Sequence, residues 1–251
     1  MGQEPIVAVI VGAGLGLRYG GKIPKAALKL TGRAVLAMSV EAMAAGGCTH
    51  AVVVVSPAVA QALGAEMAAL PIPVIQTFGG SSRQESVFNG LKAVAADPTL
   101  RHASAVLIHD AVRPMVPASV VSTVIEAVHD GAEAVAPAIL VADSMRLIDD
   151  GQITRPVDRS RLRAIQTPQG FKLDTIIKAH ERMARCDEEF TDDVTCAERA
   201  GSHVTLVEGS RMSMKITEPT DMTIAKALWK ARASLGHHSG RRFFRHLCKK
   251  N

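Results

Sequence analysis

The chain has 251 residues, 47% of them apolar and 3% aromatic, which is enough for one large domain or two small ones with a sizeable core. The apolar content is mostly Ala, Val, Leu and Ile, which excludes a disordered chain and favours an α/β enzyme over a disulfide scaffold. The formal charge of +5 belongs to the tail: five basic residues and no acid lie from Gly236 onward, and without them the 29 Lys and Arg fall to 24, equal to the 24 Asp and Glu.

A neutral body gives no reason to expect nucleic acid as a partner, and the basic tail reads either as a solvated terminus or as a segment touching phosphate or membrane. Cys48, Cys186, Cys196 and Cys248 form no CxxC pair and have no zinc-ligand spacing, so they read as reduced and mostly structural. The opening MGQEPIVAVIVGAG has no basic leader, and glycine breaks its apolar run after one strand's length, too short for a membrane span. It also lacks a Ser or Thr at Ile6 for myristoylation. A cytoplasmic location with no membrane partner is the expectation.

Short apolar runs alternate with stretches of helical period, the signature of repeated βα units and a mainly parallel sheet. In chain order the predicted strands are 6–11, 51–55, 73–76, 105–109, 134–138 and 203–207. The helices predicted between and after them are 34–45, 57–69, 82–95, 117–130, 172–185, 192–200 and 219–232. One segment breaks the alternation. Two short strand-like runs, 144–148 and 152–157, flank Asp149-Asp150-Gly151, a hairpin signal. Few large apolar side chains hold this hairpin to its own core, so it is either an arm reaching a second subunit or an exposed loop.

Strand one runs into Gly12-Ala13-Gly14-Leu15-Gly16-Leu17-Arg18. Glycines there let backbone N–H groups approach a phosphate, and a following cation can neutralise it, although such a loop is also found as a plain tight turn. A dinucleotide-binding loop is excluded because Leu17 stands where the third glycine belongs and no acid ends the second strand. A Walker A loop fits Gly16 to Lys22 as GxxxxGK, but Ile23 has no hydroxyl for magnesium, and Pro24 disfavours the helical conformation needed there. What remains is a Gly-rich loop followed by Arg18 and Lys25.

GAGLGLRY at 12–19 with PKAAL at 24–28 resembles the opening signature of the sugar-nucleotide pyrophosphorylase family, in the branch of methylerythritol phosphate cytidylyltransferases. Further boxes similar to that branch follow in order: GGSSRQESV at 79–87, IHDAVRP at 108–114, VDR at 157–159, QTPQ at 166–169, TDD at 191–193 and MKIT at 214–217. The similarity covers roughly Ile6 to Trp229, and an ordered set is far more specific than any one box. Ala26-Ala27 stands where the family often has Gln-Tyr, and Ser144 where a Thr is usual; both changes spare the charged groups.

The resemblance implies a single Rossmann-like domain over 1–235, a mixed, mainly parallel sheet flanked by helices, an arm near 142–160 and a basic tail at 236–251. It implies transfer of CMP from CTP to a polyol phosphate with Mg2+, in a homodimer joined through the arm. Gly12, Ala13, Gly14, Gly16, Arg18, Lys25, Gly80, Arg83, Ser86, Asp110 and Lys215 would bind CTP. Asp110, Arg113, Ser144, Arg159, Thr167 and Thr191 would meet the acceptor, with Arg18, Lys25, Arg159 and Lys215 as the catalytic set and Asp110 as the metal ligand.

The residues admit blander roles beside these. Asp110 follows a buried strand, where α/β folds collect ligands, yet it would also serve as a helix N-cap. Arg83 and Ser86 sit at a helix start, to contact base or ribose or merely to cap. Arg159 has the planar fork for a phosphate but lies among Arg155, Asp158 and Arg161, which would pair on any surface. Lys215 stands in SMKIT, read as an otherwise uncharged strand. A pentitol-phosphate cytidylyltransferase resembles the same boxes; the PVDR stretch at 156–159 and the TDD box favour methylerythritol phosphate. A catalytically dead nucleotide-binding regulator would have lost Arg18, Lys25, Asp110 or Lys215, and all four are present.

Overall fold

A computed structural model describes residues 4–14, 24–149, 151–184, 186 and 190–235. Gly16 and Arg18, with the rest of the first loop after Gly14, and the basic tail from Gly236 lie outside the described residues. The first half of the chain runs β1 (Ile6–Val11), β2 (Lys29–Leu30), β3 (Arg33–Ala34), α1 (Val35–Ala45), β4 (His50–Val55), α2 (Pro57–Ala68), β5 (Val74–Phe78) and α3 (Arg83–Ala96). There follow β6 (Ala105–Asp110), α4 (Ala118–His129), β7 (Ala134–Leu140), β8 (Met145–Asp149), β9 (Gln152–Val157), β10 (Arg163–Ile165) and β11 (Gln169–Phe171). The last elements are α5 (Leu173–Met183), α6 (Asp193–Arg199), β12 (Val204–Glu208) and α7 (Pro219–Leu235). The predicted strands and helices all occur, within a few residues of their expected ends.

The main sheet has the order β10-β7-β11-β6-β1-β4-β5, with β12 added parallel to β7. Strands β6, β1, β4 and β5 are parallel, while β11 enters antiparallel between β6 and β7, making the sheet mixed. From β1 the chain moves outward through β4 to β5, then crosses back to add β6 on the other side of β1. That reversal places a crevice beyond the carboxyl ends of β1 and β6, where ligands bind in open α/β sheets.

Alternation along β1 divides the core. Ile6, Ala8 and Ile10 join one apolar cluster with α1, α2 and α4, whereas Val7 and Val9 face a second cluster with α3, α5 and α6. Burial on both faces is why the central strands are near-continuous Val, Ile and Ala. A third, smaller cluster unites Leu30, Val35, Met38, Met115, Ile216 and Met222, fixing α7 and the chain before it against β2 and α1.

Two features depart from expectation. Met214 to Thr217 is not a strand: a 3-10 turn at Arg211–Ser213 leads into irregular chain, because Ile216 is buried in the third cluster and makes one backbone bond to Val112 rather than a ladder. Strands β10 and β11, three residues each, were not anticipated.

The hairpin does form. β8 and β9 pair antiparallel from Met145–Val157 to Asp149–Gln152, and β8 is exposed along its length. Its Ile148 is 53% exposed and Leu147 43%.

Close packing rather than side-chain bulk sets α3 on the sheet. A Cβ on Gly90 would lie 2.6 Å from Val9 Cγ1 and 2.8 Å from Val54 Cγ2. Gly90→Ala gains up to about 1 kcal/mol of helix propensity but meets an overpacking cost of about 1–3 kcal/mol. The expected outcome is net destabilisation, read as a lower melting temperature; a rise would show that α3 has room to move.

Candidate active site

The crevice at the switch point is a cleft of about 830 Å3. Val11 to Gly14 line one wall, Phe78 to Arg83 and Ser86 another, and Lys25, Asp110 and Lys215 complete it. Two glycines determine how closely these walls approach. A Cβ on Gly79 would sit 2.3 Å from Ala13 Cβ and 2.7 Å from Ser86 Oγ, so the two Gly-bearing loops are pressed together. A Cβ on Gly80 would strike the Glu85 side chain at 2.2 Å.

The second loop is held by α3's own cap. Ser82 Oγ accepts from Glu85 N at 3.1 Å, and Glu85 Oε2 accepts from Ser81 N at 2.7 Å, a reciprocal arrangement of the capping-box kind displaced by one residue. Ser86 Oγ accepts from Gly80 N at 3.1 Å and donates to Ser82 O at 2.8 Å. Capping and cleft lining thus coincide in the same short stretch.

Asp110, at the end of β6, caps no helix. Its Oδ1 accepts from Arg83 Nε at 3.4 Å, and its Oδ2 faces Lys215 Nζ at 3.0 Å and Arg113 Nε at 3.3 Å. Burial alone would raise this carboxyl, but the charges of Arg83, Lys215 and Arg113 outweigh it and hold the group well below the usual carboxylate range. Asp110 is therefore an anion buried among three cations.

Arg113 and Thr167 do not line the cleft; they brace Asp110. Arg113 NH1 also donates to Ser213 O at 2.7 Å, tying the strand end to the turn before Lys215. Thr167 Oγ1 accepts from Asp110 N at 3.1 Å and lies 3.0 Å from His109 Nδ1. Arg113 O, 3.2 Å from His109 Nε2, can only accept, so the neutral imidazole carries its proton on Nε2, and Nδ1 accepts the Thr167 hydroxyl proton. The expected acceptor contacts of Arg113 and Thr167 thus fall on side chains already engaged with the Asp110 loop.

Lys25 follows Pro24 and donates from Nζ to Thr217 O at 3.1 Å, linking the first loop to the segment that carries Lys215. Ser144, Arg159 and Thr191 do not line this cleft. Ser144 precedes β8, Arg159 sits in a 3-10 turn just after β9 and donates to Ala142 O, and Thr191 is exposed before α6. Gly16 and Arg18 are outside the described residues.

No trio of His, Cys, Asp or Glu among the described residues is arranged to hold a metal unaided. Among the described residues Asp110 is the one carboxylate lining the cleft, a donor suited to a hard cation that takes its other ligands from substrate phosphates and water. Cys48 and Cys196 are buried and free, their thiols pushed up to about 12 by burial, as befits packing rather than chemistry. Among the described residues no helix is long and apolar enough to cross a membrane.

Sequence reasoning missed His180 and Asp193 as partners of this site. Arg83 NH2 donates to Asp193 Oδ2 at 2.8 Å, and His180 Nε2 lies 3.5 Å from Asp193 Oδ1. The only signal was the TDD box itself, with Asp193 lying 110 positions from Arg83.

A mixed, mainly parallel α/β sheet that opens two tight glycine loops against a buried carboxylate and several cations defines a nucleotidyltransferase. The family model of 2-C-methyl-D-erythritol 4-phosphate cytidylyltransferase matches residues 6–231. The chain belongs to that family. A relative of that name from Streptomyces avermitilis is 40% identical over 233 residues, covering 88% of this chain and 90% of its own. One from Saccharopolyspora erythraea is 39% identical, covering 89% and 98%. Among solved structures, the 4-diphosphocytidyl-2C-methyl-D-erythritol synthase of Anaerococcus prevotii superposes with a TM-score of 0.78 at 26% identity, covering 90% of this chain and 96% of that one.

The His109 network predicts acid sensitivity. Burial pushes this imidazole down to about 4 against the opposing pull of Asp110, so the folded state disfavours the proton that the unfolded chain takes up near 6.5. The contribution is complete above about 6.5 and is lost as pH falls toward about 4. It amounts to on the order of 3 kcal/mol at about 1.4 kcal/mol per unit. His109→Gln, which keeps a donor for Arg113 O, should show a shallower fall in melting temperature between pH 7 and 4.5; an unchanged slope would refute this account.

Proposed function

We propose that this cleft transfers CMP from CTP to 2-C-methyl-D-erythritol 4-phosphate, forming 4-diphosphocytidyl-2-C-methyl-D-erythritol and pyrophosphate, a step of non-mevalonate isoprenoid precursor synthesis. The observation that carries the reading is the buried Asp110 carboxylate with Arg83, Arg113 and Lys215 around it, facing the glycine loops. The family membership supports it independently.

The acceptor's phosphate oxygen attacks the α-phosphorus of CTP in line, and pyrophosphate leaves. A phosphate oxyanion is already a nucleophile, so no general base is needed, and catalysis reduces to positioning and charge stabilisation. Gly12, Ala13, Gly14 and Gly80 let the nucleotide lie against the backbone, while Arg83 and Ser86 border its base and ribose. Arg18, Lys25 and Lys215 stabilise the phosphates as charge builds at the α-phosphorus.

Asp110 would hold Mg2+, which would supply further neutralisation of the phosphate charge. The working enzyme is cytoplasmic. Its catalytic body spans 1–235. It is a homodimer whose arms put Ser144 and Arg159 at the partner's cleft, where Arg159 clamps the acceptor phosphate; Thr191 is a further acceptor contact, and Arg113 and Thr167 hold Asp110 beneath. The exposed apolar side chains of the arm, including Leu147 and Ile148, support that assignment because no described residue of the chain buries them.

Pyrophosphate release with CTP and Mg2+ should be rapid with the methylerythritol phosphate and slow with ribitol 5-phosphate; the reverse order would overturn the acceptor assignment. Lys25→Ala should fold normally and lose about a hundredfold in kcat, on the order of 3 kcal/mol for a charge-assisted contact at a transferring phosphoryl group. Wild-type turnover in that variant would remove Lys25 from the site.

Arg159→Ala should raise the acceptor KM far more than the KM for CTP. Co-assembled Lys25→Ala and Arg159→Ala subunits should regain activity, since one of the two shared sites is then built from intact parts. Mixed dimers that form without regaining activity would return Arg159 to its own subunit.

A further inference from the structure

Behind the cleft lies a second buried carboxylate that the reaction as described leaves without a task. Asp193 begins α6, and its side chain is 2% exposed. Asp193 and Val194 both direct their backbone N–H groups to Gln169 Oε1, at 2.9 and 3.0 Å, so β11 fixes the start of this helix. The carboxylate receives Arg83 NH2 on Oδ2 at 2.8 Å and faces His180 Nε2 from Oδ1 at 3.5 Å. His180 is buried on α5, its ring stacked on Phe88 of α3 at 5.8 Å between centroids and 6° between planes.

Burial alone would raise the Asp193 carboxyl, yet the Arg83 charge and the neighbouring imidazole hold it below its ordinary range. It is an anion enclosed by protein. Neither Asp193 nor His180 lines the cleft, whereas Arg83 does. One guanidinium is thus shared between a hidden carboxylate and the carboxylate of the site, through NH2 at 2.8 Å and Nε at 3.4 Å.

We propose that Asp193, backed by His180, is a positioning residue that anchors Arg83 from behind and thereby sets how much of that cation's charge Asp110 receives. With Asp193 present, Arg83 makes its shorter contact, 2.8 Å, away from the cleft, and gives Asp110 Oδ1 only the longer one at 3.4 Å. Without it, the guanidinium is free to turn fully onto Asp110 as a bidentate pair, which would occupy the carboxylate, or to lose its fixed place altogether. Either way a group outside the cleft governs one inside it. The inference rests on the cytidylyl-transfer reading for its consequence in turnover but not for the anchor itself.

A double-mutant cycle tests it. Arg83→Gln should lower kcat, and Asp193→Asn should lower kcat about tenfold or more; because the second acts through the first, the double variant should be no slower than Arg83→Gln. The double variant also guards against misfolding, since it removes both buried charges and strands neither. Losses that multiply would make Asp193 an independent structural residue and overturn the proposal.

A spectroscopic readout stands apart from activity. The Arg83 Nε–H resonance, assigned by its loss in Arg83→Gln, should be distinct and protected from exchange in the wild type and shifted or exchange-broadened in Asp193→Asn. An unchanged resonance overturns the anchor. If the wild-type protein released no pyrophosphate from CTP, the transfer reading would fall while this resonance still decided the anchor.

Discussion

The site depends on one buried negative charge. A carboxylate as enclosed as Asp110 is tolerable only if opposite charges compensate its lost hydration, and here three cations from different parts of the chain do so. Arg83 comes from the start of α3, Arg113 from the turn after β6, and Lys215 from the segment before α7. Convergence on a single anion is what joins the ends of the sheet to the C-terminal part of the fold. The backbone is held as firmly as the side chain, through Thr167 Oγ1 on the Asp110 amide.

Around this centre the protein relies on missing side chains as much as on present ones. Gly79 lets the second loop touch Ala13, Gly90 lets α3 lie against Val9 and Val54, and Gly170 lets α4 lie against β11, where a Cβ would be 2.5 Å from Val124 Cγ1. Close backbone contact makes the loops extensions of the sheet rather than pendant segments. Rigid support is what a reaction without a general base requires, since fixed geometry and fixed charge are its main sources of acceleration.

Much of this was legible in the sequence, for identifiable reasons. Strands buried on both faces leave unmistakable runs such as AVVVV at 51–55, and the helices keep their period between them. The ordered boxes pointed to Lys25, Arg83, Asp110 and Lys215, and the structure brings all four to one cleft. β10 and β11 were hidden because three residues cannot display an alternation, and β11 overlaps a box read for its polar residues. SMKIT looked like a strand because Ile216 is apolar for a reason a strand would also give, burial, although the cluster it enters is built by a loop. The TDD box marked Asp193 without its role, and His180 carried no mark, since the meaning of both lies in an arginine far away in the chain.

The charge arrangement has a consequence for how a nucleotide arrives. Residues up to 235 are neutral overall, so the body exerts little pull at long range, while the cleft presents Lys25, Arg83 and Lys215 beside Asp110, with Arg113 paired to Asp110 and Asp193 to Arg83 behind them. Low-dielectric walls concentrate that local excess into a field directed out of the cleft mouth, which draws in polyanions over roughly one Debye length, about 8 Å at physiological ionic strength. Ionic strength therefore bears on capture of the triphosphate, the step outside the walls, and less on contacts made against the partly buried charges inside.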